Sequence, residues 1–334
     1  MMRVAGLTAL TFASSALAFA PAALPLASGG RALARTPGLA LLRVQVKPEG
    51  EGFSGKLVGD TYQAQRFYVR SDRIMELVAA SFPFLFRAGF GALTNGWSIR
   101  IEKDDASKYA FARFGGYMTV EDSKISQFAR PSLPVQLYEF EGCPFCRKVR
   151  EAVAILDLDV EFKPCPMNGP TYRPEAMLKG GKRQFPYLVD PNTNTAMYES
   201  DAIINYLFDT YGPGAADVSW FLKGPIAIIT AGLALVPSNI ITLAGGYKTS
   251  ELPAEPLTVW GYEASPFSKV VRETMVELEI PHIWKSCARG SPKRQQLFEM
   301  TKTFQVPFLE DPNTGTKMFE SAEIVDYLRA TYQK

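Results

Sequence analysis

One segment of this 334-residue chain occurs twice, and only the first copy keeps its cysteines. Residues 135–146 read VQLYEFEGCPFC, and residues 257–268 read LTVWGYEASPFS. Further along, QFPYL at 184–188 is repeated as QVPFL at 305–309. The copies stay in register over roughly 77 residues with one single-residue gap, which indicates that one fold was duplicated. Because the copies differ most where thiol chemistry would occur, we expect one active module and one silent module.

The duplication divides the chain into five parts. Each copy follows the order strand, turn, helix, strand, helix, hairpin and helix, which predicts an α/β fold built twice in tandem. A small α+β segment precedes the first copy, and the sequence suggests no role for it. The five parts are a presequence (1–45), the N-terminal segment (46–131), module 1 (135–212), an apolar helical insert with its linker (213–256) and module 2 (257–334).

Composition narrows the classes of function. The chain is 47% hydrophobic and 21% charged, as is usual for a globular protein, and its formal net charge is +2. Four arginines and no acidic residue lie in residues 1–45, so the rest carries a net charge of −2 and has no electrostatic reason to bind nucleic acid. A single Cys-x-x-Cys among four cysteines indicates redox chemistry or half of a metal site. With one histidine and no second cysteine pair, we expect no metal.

The N-terminus has the features of a targeting presequence. Residues 1–18 combine one arginine, an apolar run and a terminal ALA, which is typical of a cleaved secretory signal peptide. Residues 19–44 are rich in alanine and leucine, contain arginine and lack acids, as transit peptides do. This succession, with Phe19 directly after the expected cleavage point, resembles the two-part plastid presequence of algae with secondary plastids. We therefore expect the protein in the plastid stroma, with secretion as the alternative.

Two apolar stretches lie outside the modules. Residues 73–93 predict a helix with an internal proline, and residues 97–101 and 108–112 alternate like strands. Residues 220–246 form the other stretch, which Pro237 divides. Neither half reaches the roughly 20 apolar residues that a transmembrane helix needs. We expect a helix or a helical pair buried between the modules, and membrane association is a less favoured alternative.

The cysteine pair of module 1 lies where a predicted strand gives way to a helix. Pro144 suits the first turn of a helix, because the N–H that it lacks would be unpaired there. Free backbone N–H groups and the helix dipole at this end stabilise a thiolate, so Cys143 is the predicted nucleophile. Cys146 lies one turn deeper, where it can attack a mixed disulfide at Cys143 as the resolving thiol. Arg147 and its neighbours add positive charge, whereas Glu141 opposes it.

These motifs resemble the glutaredoxin branch of the thioredoxin-like fold and the related N-terminal domain of glutathione S-transferases. The CPFC at 143–146 is similar to a dithiol glutaredoxin motif, and FP at 185–186 matches the family's cis-proline position. YESDAI at 198–203 resembles the start of a transferase helix. The likeness covers both repeats but not residues 46–131. The whole layout, with a leading segment and two tandem modules, resembles a plastid-type family of thioredoxin-like proteins.

The resemblance implies a glutathione site around the cysteine pair, with glutathione as a co-substrate. The backbone of Phe185, beside a cis Pro186, would pair with the cysteinyl part of glutathione. Ser200, at the start of a helix, would take the γ-glutamyl carboxylate, and Glu199 would face the γ-glutamyl ammonium group. Arg183 would hold the glycine carboxylate. The implied glutathione contacts also include the two residues between the cysteines, Pro144 and Phe145.

Two features depart from the family pattern. Glu141 stands where the family often has a lysine, which argues against a strongly lowered thiol pKa and against tight glutathione binding. In module 2, serines replace both cysteines and a phenylalanine replaces the arginine, while the proline and the Glu-Ser pair persist. These positions are Ser265, Ser268, Phe304, Pro307, Glu320 and Ser321. We interpret module 2 as a structural or regulatory copy, with a serine-type transferase site as the alternative. Cys165 and Cys287 align with each other and are expected to be buried structural thiols.

The leading hypothesis is a glutathione-linked thiol–disulfide oxidoreductase, similar to glutaredoxin, that acts through module 1. Its partners would be glutathione and protein disulfides or glutathionylated proteins. One alternative is a transferase or isomerase that uses glutathione as a co-substrate. Another is a non-catalytic redox-sensing or binding module. An iron–sulfur cluster held by glutathione and the cysteines of two subunits, as in some glutaredoxin relatives, is a further alternative.

Overall fold

The computed structural model describes most of the chain that follows the presequence. The expected signal and transit peptides lie outside the described residues. The described residues are 45–47, 57–58, 61–62, 64, 68–241 and 246–334.

Short strands and one helix make up the segment before module 1. Its elements are β1 (Gln45–Lys47), β2 (Leu57–Val58), β3 (Thr61–Tyr62), β4 (Tyr68–Arg70), α1 (Ile74–Phe86), β5 (Ser98–Lys103), β6 (Arg113–Phe114) and β7 (Tyr117–Asp122). Helix α1 contains Pro83 in its last turn and is shorter than the expected 73–93. It ends early because Ala88 and Gly89 adopt left-handed φ angles of 48° and 69°.

The strand expected at 108–112 is wrong. The backbone N–H of Tyr109 donates to Oε1 of Gln295 in module 2 at 2.6 Å, so this stretch is tied to another part of the molecule. The three-stranded sheet of this segment forms from β5, β7 and β6 in that order. The local alternation of apolar residues could not reveal that a side chain of module 2 accepts a backbone hydrogen bond from this stretch.

Module 1 has the predicted order of elements. They are β8 (Val135–Glu139), α2 (Pro144–Ile155), β9 (Asp159–Pro164), α3 (Tyr172–Gly180), β10 (Tyr187–Asp190), β11 (Thr195–Met197) and α4 (Ser200–Tyr211). Helix α2 buries Val149, Val153 and Leu156 against the sheet, which is the spacing of one helix face. Helix α3 ends at Gly181, whose φ of 73° gives the left-handed cap that glycine adopts readily.

The apolar insert forms a single helix, α5 (Gly224–Ile241). It continues through Pro237, so the expected division at that proline is wrong; packing along α1 and α2 overrides the local preference. Ala227 and Ala231 are buried in this contact, whereas Ile229 on the opposite face is 60% exposed. The helix is therefore covered on one side only. Among the described residues, no helix combines the length and the hydropathy that crossing a membrane requires.

Module 2 repeats module 1 element by element. Its elements are β12 (Leu257–Gly261), α6 (Pro266–Glu277), β13 (His282–Ser286), α7 (Lys293–Thr301), β14 (Phe308–Asp311), β15 (Thr316–Phe319) and α8 (Ser321–Tyr332). The repetition extends to buried details. Asp190 accepts hydrogen bonds from the hydroxyls of Tyr206 and Tyr211, both at 2.7 Å. Asp311 accepts the equivalent bonds from two tyrosines of α8.

The two modules share one eight-stranded sheet. Its strand order is β11-β10-β8-β9-β13-β12-β14-β15. Strands β9 and β13, each at the edge of its own module, pair antiparallel at the centre of the shared sheet, with Phe162 opposite His282 and Val160 opposite Trp284. The core runs through both modules, because side chains from the two halves pack into one cluster. The architecture is α/β, with two thioredoxin-like modules in tandem after a small α+β segment.

Candidate functional site

The cysteine pair caps helix α2. Cys143 is the N-cap residue, and its Sγ accepts a hydrogen bond from the backbone N–H of Cys146 at 3.2 Å. Pro144 occupies the first turn. The sulfur therefore takes the place that an oxygen of Ser or Asp has in an ordinary N-cap, at the positive end of the helix dipole. In this position a thiolate is stabilised by the backbone.

The two thiols differ in exposure and in acidity. Cys143 is 4% exposed, whereas Cys146 is fully buried. Hydrogen bonds from Cys146, first from its side chain and then from its backbone N–H, outweigh burial and lower the pKa of Cys143. Burial, reinforced by the neighbouring Cys143, raises the pKa of Cys146 well above its ordinary value. This asymmetry suits a nucleophile paired with a resolving thiol.

A proline loop faces the cysteine pair. The peptide bond between Phe185 and Pro186 is cis, as the resemblance implied. The carbonyl oxygen of Phe185 lies 4.0 Å from Sγ of Cys143. The ring of Phe185 meets the ring of Phe140 edge-on, with centroids 5.8 Å apart. The guanidinium of Arg173 lies over the ring of Phe185, 5.0 Å from its centroid.

An open groove of about 380 Å³ adjoins this loop. It is lined by Asn168, Gly169, Arg173, Pro174, Met177 and Arg183. Burial lowers the pKa of Arg173, and the positive charge of the exposed Arg183 adds to that effect. The described lining contains two cations and no carboxylate, so the groove suits an anionic group.

The N-terminus of helix α4 forms the other side of the site. Ser200 is its first residue, and Glu199 caps it with a φ of 71°. Oε1 of Glu199 accepts a hydrogen bond from Nε2 of Gln184 at 2.6 Å. Nζ of the buried Lys148 lies 3.5 Å from the Ser200 hydroxyl and 2.5 Å from Asp201. A helix N-terminus with a hydroxyl suits a carboxylate ligand, whereas the charge of Lys148 is already paired with Asp201.

The structure thus groups the predicted residues on one face of module 1. Phe145, between the cysteines, is 41% exposed there, and Pro186 is buried beneath the loop. Sequence reasoning did not single out Lys148 as a neighbour of Ser200. The available signal was a lysine in the second turn of the cysteine helix; its partner on α4 is known only from the fold.

Glu141 lies among three buried cations. Its carboxylate lies 2.7 Å from Nε of Arg272, 3.2 Å from Nζ of Lys269 and 3.3 Å from Nη2 of Arg150. Burial would raise the pKa of Glu141, but Arg150, Arg272 and Lys269 together hold it well below its usual range. The negative charge is therefore compensated by three cations, two of them from module 2. The local sequence around Cys143 could not show this.

Module 2 keeps the geometry of the site without the thiols. Oγ of Ser265 accepts a hydrogen bond from the N–H of Ser268 at 3.2 Å, the same distance as in module 1. The peptide bond before Pro307 is cis. Nε2 of Gln305 donates to Oε1 of Glu320 at 2.6 Å, as Gln184 does to Glu199.

The N-terminal segment covers this face of module 2. Nη1 of Arg70 and Nη2 of Arg73 lie 2.5 and 2.7 Å from the carboxylate of Asp326 on α8. These arginines and Val69 surround Ser321, and the remaining space there is about 10 Å³. The equivalent helix start in module 1, at Ser200, has no such arginine clamp among its described contacts.

The groove of module 2 is also occupied. The ring of Tyr109 packs on Phe304 with centroids 4.8 Å apart, and its hydroxyl accepts a hydrogen bond from Nη1 of Arg294 at 2.7 Å. In module 1 the repeat places Arg183 and Arg173 at these two positions, and the groove is open. Tyr109 therefore fills in module 2 the space that module 1 leaves accessible.

The remaining candidate ligands do not assemble into a metal site. Within the described residues, no group of three or more His, Cys, Asp or Glu side chains is arranged to hold a metal ion. Cys165 and Cys287 are both buried, as expected, and burial raises the pKa of each.

A family model agrees with the duplicated architecture. The family model described as glutathione S-transferase, N-terminal domain, matches residues 137–215 and again residues 259–334. Two solved structures of the Bombyx mori glutathione transferase BmGSTD1, one of them a complex with GTT, show 30% sequence identity and a TM-score of 0.23. The match covers 25% of this chain and 39% of the BmGSTD1 chain. A search of the curated proteins finds no match.

Proposed function

We propose, from the premise that this chain carries two glutathione S-transferase N-terminal domains in tandem, that module 1 is a glutathione-linked thiol–disulfide oxidoreductase. Its substrates are protein disulfides or glutathionylated proteins. The observation that carries the proposal is the geometry of the cysteine pair: Sγ of Cys143 accepts the backbone N–H of Cys146 at the start of α2, while Cys146 itself is fully buried. Module 2, which has serines at both positions, contributes no thiol chemistry.

The chemistry needs two thiol exchanges. The Cys143 thiolate attacks the glutathione sulfur of a glutathionylated protein, and the protein thiol leaves as a thiolate. The resulting mixed disulfide between Cys143 and glutathione is then attacked by a second glutathione thiolate. That step releases oxidised glutathione and regenerates the Cys143 thiolate. In the dithiol route, Cys146 loses a proton, attacks Cys143 and releases reduced glutathione, which leaves an intramolecular disulfide.

Four residues support glutathione as the co-substrate. The backbone of Phe185 pairs with the cysteinyl part, and the anion-binding start of α4 at Ser200 takes the γ-glutamyl carboxylate. Glu199 faces the γ-glutamyl ammonium group. Arg183 takes the glycine carboxylate in the groove, where a second cation reinforces it. Pro144 and Phe145 complete the contact between the cysteines.

The test is glutathione-dependent reduction of a small mixed disulfide by the full chain. Cys143→Ser should lower the rate by ~100-fold or more, because the nucleophile is lost. Cys146→Ser should retain a large part of deglutathionylation, which needs one thiol only. Ser265→Ala, the matched change in module 2, should leave the rate unchanged. Equal rates for Cys143→Ser and the wild type, both folded, would refute the proposal.

A second candidate follows from the family match itself. A glutathione S-transferase or isomerase-like activity would use glutathione as a nucleophile and need no protein thiol. Conjugation of glutathione to an aromatic electrophile discriminates between the two. Conjugation that survives in the Cys143→Ser/Cys146→Ser double variant favours the transferase, whereas loss of all activity with the thiols favours the oxidoreductase.

A further inference from the structure

A buried cluster of charges lies where the two modules meet. In the described part of the chain it contains five cations and five carboxylates, each less than a tenth exposed. The cations are Arg87, Arg147, Arg150, Lys269 and Arg272, and the carboxylates are Glu139, Glu141, Glu151, Glu263 and Glu273. Charges buried in this way are stable only when paired, so the loss of one leaves its partners uncompensated. Some of its ion pairs cross the boundary, because Arg272 of module 2 pairs with Glu141 and Arg150 of module 1 pairs with Glu263.

Arg150 connects this cluster to the thiol. Its guanidinium pairs with Glu139, and it lies 3.3 Å from both Glu141 and Glu263. Arg150 belongs to the helix that Cys143 caps, and Glu139 ends the strand that leads to it. The charge of Glu139 raises the pKa of the Cys143 thiol, whereas the charge of Arg150 lowers it. One arginine therefore serves three carboxylates and the nucleophile at once.

Arg272 of module 2 pairs with two of the three carboxylates that also contact Arg150. Its Nε lies 2.7 Å from Glu141, and its Nη1 lies 2.8 Å from Glu263. Lys269 adds a second cation, 3.2 Å from Glu141. The guanidinium of Arg272 is held in place over the ring of Trp284, 5.2 Å from the centroid. In the repeat, Arg272 is the counterpart of Arg150, so the duplicated helix supplies the same residue to the other side of the boundary.

We infer that Arg272 is a positioning residue for the Cys143 thiolate, and that it acts across the module boundary by neutralising Glu141 and Glu263, the carboxylates that share Arg150. The inference rests on the proposed function only in taking Cys143 as the nucleophile. It gives the degenerate module a role in the chemistry of the intact one. Module 2 completes the electrostatic environment of a thiol that it does not itself contain.

The physical consequence has a definite sign. Without the charge of Arg272, Glu141 is left with Arg150 and Lys269, and Glu263 is left with Arg150 and Arg147. Arg150 is then more strongly neutralised, and the net charge near Cys143 becomes more negative. A more negative environment disfavours a thiolate, so the pKa of the Cys143 thiol rises. Removal of the Glu141 charge has the opposite effect, because it leaves Arg150 less neutralised.

The experiment measures alkylation of Cys143 by iodoacetamide as a function of pH in the full chain. All variants carry Cys146→Ser, so that Cys143 is the reactive thiol. Arg272→Met should move the midpoint of the rate profile upward, by less than the ~1–3 pH units that a directly neighbouring opposite charge produces, because Arg272 acts through Glu141, Glu263 and Arg150. Glu141→Gln should move it downward. The double variant Arg272→Met/Glu141→Gln should return close to the starting midpoint.

Arg294→Met is the matched control. Arg294 is also a buried cation of module 2, but its partners are Tyr109, backbone carbonyls and Glu121 of the N-terminal segment rather than the boundary carboxylates. Its midpoint should stay that of the starting protein. An unshifted midpoint in folded Arg272→Met overturns the inference, and so does a shift of the same size in Arg294→Met. If Arg272→Met fails to fold, an unchanged or higher midpoint in Glu141→Gln overturns it.

This readout is independent of the proposed function. Alkylation needs no glutathione and no disulfide substrate. A shifted midpoint with no reductase activity in the wild type would refute the oxidoreductase and keep the electrostatic coupling. Full reductase activity with unshifted midpoints would support the oxidoreductase and refute the electrostatic coupling.

Discussion

The two modules share a scaffold and differ in access to it. Both have a side chain that caps the first helix, a cis proline opposite it and a Gln–Glu pair at the last helix. Module 1 leaves this face open, with a groove of about 380 Å³. Module 2 has its face covered by Arg70, Arg73 and Tyr109 of the N-terminal segment.

The comparison distinguishes residues that the fold requires from residues that a reaction would require. Pro307, Glu320 and Ser321 persist in module 2 although the surrounding face is covered. Their persistence is therefore explained by the architecture of the proline loop and the helix start, without any ligand. Among the residues proposed to meet a substrate, the cysteine pair, Arg183 and Phe185 differ between the copies. The N-terminal segment thus has a structural role as the cover of module 2.

The strongest way to break this comparison is to move the thiols. The quadruple variant Cys143→Ser/Cys146→Ser/Ser265→Cys/Ser268→Cys places the pair in module 2. Because the arginines and Tyr109 block approach to that face, its glutathione-dependent reductase activity should stay ~100-fold or more below that of the wild type. The same assay of mixed-disulfide reduction measures it.

Ser265→Cys/Ser268→Cys in the otherwise unchanged chain is the control, and it should fold and react as the wild type does. Recovery of a tenth or more of the wild-type rate in the quadruple variant would show that the cover is no barrier.

A second difference lies in the strands that join the modules. Burial lowers the pKa of His282 to about 4, and its Nδ1 lies 2.9 Å from the carbonyl oxygen of Ile280. The unfolded chain takes up a proton below pH ~6.5, whereas the folded chain does not until pH ~4, so stability falls as the pH drops through this window. The loss should be about 2 kcal/mol between pH 6.5 and pH 5.

His282→Val introduces the residue that module 1 has at this register, Val160. Urea unfolding of both proteins at neutral pH and at pH ~5 measures the difference. The variant should lose about 2 kcal/mol less than the wild type on acidification. The same loss in both proteins would contradict a neutral, buried histidine.

The smallest difference is at the end of the second helix of each module. Gly181 in module 1 and Lys302 in module 2 both adopt the left-handed conformation, with φ of 73° and 59°. A residue with a Cβ is strained there by about 1 kcal/mol relative to glycine. Lys302→Gly should therefore raise the free energy of unfolding by about 1 kcal/mol, and Gly181→Lys should lower it by a similar amount.

Chemical denaturation measures both changes. A Cβ at Gly181 meets no atom within 4 Å, so no steric clash adds to the backbone effect there. A change of the same sign in both variants would contradict the backbone explanation.

The repeat made the fold predictable within each module. Hydrophobic alternation and the turn residues gave the order of elements, and Pro144 located the start of the cysteine helix. The pairing of β9 with β13 was not predictable from the sequence. The buried Val160 and Phe162 show that one face of β9 is covered, but a covered face does not reveal which strand pairs along the edge. Which edge meets which depends on the placement of whole modules, and no local pattern encodes that.

The candidate site shows the same limit. Cys143, Phe185 and Pro186 could be identified from their spacing and from the family resemblance. The compensation of Glu141 could not, since Arg272 is far away in sequence and only the shared sheet brings it close. For the same reason Pro237 was taken as a break in a helix that tertiary packing keeps continuous.

The pairing of β9 with β13 implies a delay during translation, because the two strands are far apart in sequence. β9 is complete at Pro164, but its partner strand ends only at Ser286. At ~5–20 residues per second, a ribosome needs roughly 6–25 seconds to make the intervening ~120 residues. During that time the nascent chain exposes an unpaired strand edge, the kind of edge that recruits other chains. Asp159, Glu161 and Lys163 alternate along that strand and place charge on it, which deters a foreign strand until its own partner emerges.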